Sequence, residues 1–223
     1  MNILAVDTSS ELLSITLQNG DGIYGTYRDV GLRHSEILPV LIGNLFEEAG
    51  ISASDLDLTV YASGPGSFTG LRIGAATVKG IAAAKDVPFV GVPVLDMLSH
   101  GLNHLPYPVV PVIDAKKRQF YAAVYNKGQK AGPYLDISPE ELDNQVTAKS
   151  PVFITGPHAE LFKERYGGKL ELIIDPLCRL PKSRNLITLG SSLYRERGGD
   201  SDTSSPIYLR LSEAELDKKA GKR

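Results

Sequence analysis

The stretch GPGSFTGLRIG, residues 64–74, joins an apolar run at 58–62 to an alanine-rich segment at 71–85 with helical spacing. A buried strand that feeds a glycine loop and then a helix is a unit of α/β architecture. The glycines have two readings, phosphate cradle or close packing. A phosphate-binding P-loop needs a lysine directly after its last glycine, whereas Leu71 and Arg72 follow Gly70. The dinucleotide fingerprint fails too, because Gly64, Gly66 and Gly70 are spaced one residue too wide. A helix N-terminus at Ser67 to Gly70 still offers free N–H groups to a phosphate or carboxylate. Close packing is the stronger reading. Glycine inside a helix costs about 1 kcal/mol relative to alanine, yet Gly70, Gly74 and Gly80 fall around or within this one. With Ala75, Ala76 and Ala82 they leave little side-chain bulk, so another element can approach the axis.

Upstream, β-prone stretches at 3–6, 12–17 and 23–27 are separated by polar residues and by Asn19-Gly20-Asp21-Gly22, a strong turn signal. They predict a three-stranded meander. The segment 35–49 carries Ile37, Leu38, Leu41, Ile42, Leu45 and Phe46 as a wide apolar helical stripe, with Ser35 as N-cap and Gly50 as the stop. After the glycine helix, VPFVGVP supplies another strand. The second half starts over, with strands at 109–113, 119–125 and 134–137, a short acidic helix at 139–144, a strand at 152–155, a helix after TGPHAELF, a strand at 172–174 and a helix at 185–195. Two lobes with related element order follow, residues 1–105 and a smaller 106–223, with the C-terminal tail able to pack back on the first.

The 223 residues carry 24 Lys+Arg against 26 Asp+Glu, a formal net charge of -2, so no overall field draws the chain to nucleic acid or to an anionic membrane. The single cysteine, Cys178, excludes an internal disulfide and a structural zinc framework. No apolar stretch nears the ~20 residues that span a bilayer, and MNILAVDTSS lacks a signal peptide's basic start. A cytoplasmic location without membrane contact is expected.

The blocks ILAVDTSS, LRHSEILP, GPGSFTGLRIG, VIDAKKRQFY and PIYLR, in this order, resemble the bacterial TsaB family, also called YeaZ. The likeness covers nearly the whole chain. It implies an α/β, two-lobed fold of the actin-like, sugar-kinase and Hsp70 (ASKHA) type, here with a degenerate second lobe. It further implies an accessory subunit of the machinery that makes threonylcarbamoyladenosine in tRNA. The implied partners are a TsaD-like catalytic subunit, a TsaE-like ATPase, tRNA indirectly, and a second copy when the chain is alone.

The residues point away from catalysis by this chain. Asp7, Thr8 and Ser9 lie where the first phosphate hairpin of such a fold would turn, and they are read as its vestige. The second hairpin should offer glycine but reads Asp114-Ala115-Lys116-Lys117-Arg118, and the adenosine loop offers Gly156 before a proline. No cofactor is expected for the chain by itself, with room left for ATP or ADP at the joint surface with its partner. The catalytic paralogue's metal histidines would fall at Val94 and Leu98, which bind no cation. His100 and His104 share the i, i+4 spacing but read as solvated imidazoles at a fraying helix end. A glycoprotease would need a metal pair or a nucleophile with its base, and neither is present. Lys116, Lys117, Arg118 and the tail LDKKAGKR read as solvated charge, and Cys178 as a buried small hydrophobe.

The expected partner interface combines both first-lobe helices. The first contributes His34, Ser35, Ile37, Leu38, Leu41, Ile42 and Leu45, because six large apolar side chains exceed one contact face. The second contributes Gly70, Leu71, Gly74, Ala75 and Val78 as a small-residue surface. An actin-fold phosphotransferase or ATPase is the competing reading.

Overall fold

The computed structural model describes residues 1–147 and 151–210. Strands β1 (Asn2–Asp7), β2 (Leu12–Asn19) and β3 (Gly22–Asp29) form the expected antiparallel meander. Helix α1 (His34–Ala49) follows and ends at Gly50, whose left-handed φ of 66° suits a residue without a Cβ. Strand β4 (Leu58–Gly64) pairs parallel with β1, and helix α2 (Phe68–Lys85) begins three residues earlier than the alanine pattern suggests. Strand β5 (Phe89–Pro93) pairs parallel with β4, and a short helix α3 (Val94–Ser99) leads away from it.

The second half builds β6 (Val109–Asp114), β7 (Phe120–Ala122), a small hairpin of β8 (Tyr125–Asn126) and β9 (Gln129–Lys130), and β10 (Leu135–Ile137). The predicted single strand at 119–125 is therefore divided, and the acidic stretch Pro139–Asn144 is a 3-10 turn. Strand β11 (Val152–Thr155), helix α4 (Ala159–Arg165), strand β12 (Leu172–Ile174) and helix α5 (Ser183–Arg197) complete the described chain.

The first sheet runs β3-β2-β1-β4-β5 and the second β10-β7-β6-β11-β12. In each, two antiparallel strands flank one side of the leading strand and two parallel strands the other. The same path is drawn twice, and β6 stands where β1 stands. The β1–β2 and β6–β7 turns are therefore equivalent.

Strand alternation sends β1 side chains to two cores. Leu4 and Val6 join Leu38, Leu41, Leu45, Ala75 and Val78 beneath α1 and α2. Ile3 and Ala5 join Leu95, Leu98, Leu186 and Ile187 of α3 and α5, and this second core continues to Val109, Ile113 and Phe153 of the other sheet. Helices α3 and α5 thus fill the space between the sheets. The last helix has left its own half of the sequence to cover the first sheet. Its Gly190 explains how closely it lies, since a Cβ there would come within 2.5 Å of Val60 Cγ2. We expect Gly190→Ala to lower unfolding free energy by about 1–2 kcal/mol in urea titration, with overpacking outweighing the ~1 kcal/mol helix gain.

Candidate functional site

Strand β1 ends at Asp7, and residues 7–10 turn into β2. Asp7 Oδ1 accepts the Ser9 N–H at 2.9 Å, which closes the turn. His34, the first residue of α1, places Nε2 2.8 Å from the Ser10 carbonyl oxygen. From the other side comes α2. The Thr8 hydroxyl donates to the Gly70 carbonyl at 2.8 Å, and the Ser67 N–H donates to the Ser9 carbonyl at 2.7 Å. Such contact between backbones requires glycine. A Cβ on Gly66 would lie 2.5 Å from the Ser9 oxygen, one on Gly70 would overlap the Thr8 carbonyl oxygen, and one on Gly74 the Thr8 hydroxyl. Gly64 has φ +109°, and its Cβ would lie 2.5 Å from the Ile207 carbonyl oxygen. The blocks DTSS, HSE, GPGSFTGLRIG and PIYLR therefore meet at one junction.

This geometry leaves the weaker reading of the glycine loop, an anion site at the start of α2, with fewer free amides. The Ser67 amide is taken by Ser9, the Gly70 amide by the Ser67 hydroxyl at 3.3 Å, and the Leu71 amide by the Ser67 carbonyl at 2.9 Å. Most residues of the expected interface also lie inside the subunit. Leu38, Leu41, Ile42 and Leu45 are buried on the chain's own sheet, and Ile37 packs partly buried against them. Gly70, Leu71, Gly74, Ala75 and Val78 are buried as well. The small residues at 70 and 74 serve Thr8, so Gly74→Leu would strike the chain's own core before it reached a partner. His34 is buried under the turn, whereas Ser35 is exposed and caps nothing; Arg33 holds the N-cap position without a side-chain bond.

A cavity of about 410 Å³ opens beside the junction, lined by Ser9, Ser10, Gly66, Phe68, Lys116 and His158 among others. Lys116, Lys117 and Arg118, at the β6–β7 turn, have φ of 61°, 53° and 61°. Three successive left-handed residues with side chains are costly, each by about 1 kcal/mol or more. Lys116 Nζ lies 3.2 Å from Asp114 and 3.7 Å from Glu11, and His158 Nε2 lies 3.9 Å from Glu11, so charges face one another across the gap. Burial pushes the His158 pKa down, while Glu11 and Asp114 pull it back up. On the opposite side of the 7–10 turn, Cys178, Pro181 and Lys182 approach Asp7 and leave a cavity of only about 20 Å³. Cys178 is buried, which raises its thiol pKa.

The two lone histidines stay apart from this site. His104 Nδ1 lies 3.0 Å from the Gly101 carbonyl oxygen, and α3 has ended before His100. Among the described residues no group of three His, Cys, Asp or Glu is arranged to hold a metal ion. The basic tail LDKKAGKR lies outside the described residues.

Residues 200–210, anticipated only as a tail able to pack back on the first lobe, form a part of the site whose contacts the sequence reading did not foresee. After α5 they run along α2 and β5 to the glycine loop, where the Ile207 N–H donates to the Ser63 carbonyl at 2.6 Å. Tyr208 packs against Phe68 with ring centroids 4.7 Å apart and the planes tilted by 37°, and Arg72 Nε donates to the Tyr208 hydroxyl at 3.3 Å. The i, i+4 spacing of Phe68 and Arg72 was the available signal, since it puts an aromatic ring and a cation on one helix face.

Asp7 supplies a pH test. Burial pushes its pKa above the ordinary value, outweighing the bond from Ser9 and the nearby His34. A carboxyl whose folded pKa is raised favours the fold while protonated and loses that contribution as pH rises through the folded value. Asp7→Asn keeps the acceptor oxygen without the charge. We expect it to be more stable than the parent in urea unfolding at pH 7, with the difference vanishing below about pH 4.

The family model described as TsaD, tRNA N6-adenosine threonylcarbamoyltransferase, matches residues 26–216. The chain is 29% identical to the tRNA threonylcarbamoyladenosine biosynthesis protein TsaB of Bacillus subtilis (strain 168), covering 96% of each chain. It is 25% identical to the TsaB of Escherichia coli (strain K12), over 94% of this chain and 95% of that one. Among solved structures, a Pseudomonas aeruginosa protein described as similar to peptidase YeaZ superposes with a TM-score of 0.78 at 27% identity, covering 94% of this chain and 99% of that one. The YeaZ of Pseudomonas aeruginosa gives 0.76 at 25%, over 93% and 99%. The chain therefore belongs to the family that the TsaD model describes, and within it to the TsaB/YeaZ proteins.

Proposed function

We propose that this chain is a non-catalytic partner subunit in the synthesis of threonylcarbamoyladenosine in tRNA, supporting a TsaD-like catalytic subunit. The observation that carries this reading is the end-to-end likeness to proteins named for that pathway. The repeated strand order supports an actin-like, ASKHA-type fold of two lobes, and the three-residue strands β7, β10 and β12 support a degenerate second lobe. The lobe boundary falls near residues 104–108, with α5 returning to the first lobe.

Both turns that would hold a nucleotide support the non-catalytic reading. The first is packed against α2 by glycines, and the second carries Lys116, Lys117 and Arg118 where free backbone amides are needed. The cavity of about 20 Å³ beside Asp7 has room for about one water and none for a chain of phosphates. ATP or ADP therefore belongs, if anywhere, at the joint surface with the partner, where a TsaE-like ATPase would join. Contact with tRNA would be indirect. No helix among the described residues is long and apolar enough to cross a membrane, and a cytoplasmic location belongs to the same proposal, as the site of tRNA modification.

Pairing keeps the two helices but moves to their outer sides. Ala76, Gly80 and Ala84 are exposed at i, i+4 spacing on α2, and Val40 and Gly43 are exposed on α1. A Cβ on Gly43 or Gly80 would meet nothing within 4 Å. These glycines therefore have no use inside the subunit, although each costs about 1 kcal/mol of helix stability. Close approach of a second helix pair offsets that cost, with a second copy taking the place of the TsaD-like subunit when the chain is alone.

Reconstitution of the tRNA modification with a TsaD-like and a TsaE-like protein should fail without this chain and proceed with it. Activity that is equal in both sets contradicts the proposal, as does low-micromolar binding of magnesium-ATP by the isolated chain in calorimetry. Gly80→Leu should fold, gain about 0.5–1 kcal/mol of monomer stability, and elute at monomer mass by light scattering. A folded Gly80→Leu dimer would place the surface elsewhere.

A further inference from the structure

We propose that residues 206–210 form a latched strap across the cavity between the two sheets, held shut by the ion pair of Arg210 with Asp136. The segment is fastened first to the first sheet and its helices. The Asp200 N–H donates to the Phe89 carbonyl, and its carboxylate accepts the Gly91 N–H, both at 2.8 Å. Lys79 Nζ donates to the Asp202 carbonyl at 2.8 Å and to that of Ser204. Ile207 and Tyr208 then cross the glycine loop, and the missing Cβ of Gly64 makes room for the Ile207 carbonyl.

Beyond Tyr208 the chain leaves the first sheet, and Arg210 reaches the second. Its guanidinium donates to both carboxylate oxygens of Asp136, on β10, at 2.8 to 3.0 Å. It also donates to the Ala115 carbonyl, in the β6–β7 turn, at 3.0 Å. Two-pronged pairing of this kind is directional and stronger than a neutral hydrogen bond. Arg210 is 27% and Asp136 23% exposed, so water and salt reach the pair and it can open without breaching a core.

Ile207, Tyr208, Leu209 and Arg210 form part of the wall of the 410 Å³ cavity. Release of Arg210 therefore does two things together. It removes a tie between the sheets, and it lets the strap lift from Phe68 so that the cavity opens beside the glycine loop. The segment acts as an intramolecular cover, which any partner or ligand seeking that cavity must displace.

The test uses the full chain with Arg210→Ala, Asp136→Ala and the charge-exchanged double variant Arg210→Asp with Asp136→Arg. Hydrogen exchange reads the strap, and 8-anilinonaphthalene-1-sulfonate reads access to the cavity. Each single variant should speed exchange of the Ile207 amide about tenfold, the scale of one lost charge-assisted bond, while α5 amides stay at parent rates and so report an intact fold. Dye affinity should rise about threefold or more as the open fraction grows. The double variant should return both readouts toward the parent. Parent-like exchange in the single variants, faster exchange without a gain in dye affinity, or no recovery in the double variant overturns the proposal.

Discussion

The backbone at Thr8 and Ser9 lies against α2 because Gly66, Gly70 and Gly74 present no Cβ to it. Much of the surrounding structure depends on that approach. It sets the distance of α2 from β1 and lets the Thr8 hydroxyl reach the Gly70 carbonyl. It also brings the Ser67 amide onto Ser9, so part of the helix N-terminus is satisfied within the protein itself. His34 closes the same turn from α1 through Ser10. One contact thereby ties the central strand to both helices of the outer layer. The glycines are an internal packing device, and the outward faces of α1 and α2 are left for other uses.

The two halves share a strand path but differ at the equivalent turns. The β1–β2 turn is buried and polar, with Asp7 folded back on Ser9. The β6–β7 turn carries three cationic side chains in the left-handed region. A duplicated frame has thus been finished in opposite ways on its two sides, and the cavity lies between them. Helix α5 covers the first sheet and α3 reaches β6 of the second, so the halves share one continuous core. The C-terminal strap then spans the same gap at the surface.

The sequence made the frame legible because strand alternation, the helical stripe at 37–46 and the glycine loop each have a local period or spacing. Burial on α1 was visible as Leu38, Leu41, Ile42 and Leu45, but periodicity does not say whether a stripe meets its own sheet or another molecule. The sheet beneath proved broad enough to cover all four. Gly70 and Gly74 looked like a docking surface for the same reason, since a missing side chain carries no record of which neighbour needs the room. Gly43 and Gly80 were equally visible, and only their empty surroundings set them apart. Short strands such as β8 and β9, and the strap, have no period at all. Their partners lie far away in the chain, as Ile207 does from Ser63 and Arg210 from Asp136.

The most direct test of the close approach is a double-mutant cycle on Gly74 and Thr8, read by urea unfolding. Gly74→Ala should cost about 2 kcal/mol or more in the parent, because the new methyl meets the Thr8 hydroxyl. In a Thr8→Ala background, where that hydroxyl is gone, most of the cost should disappear, leaving a coupling of about 1–3 kcal/mol. Additive effects, or a Gly74→Ala protein as stable as the parent, would contradict the account.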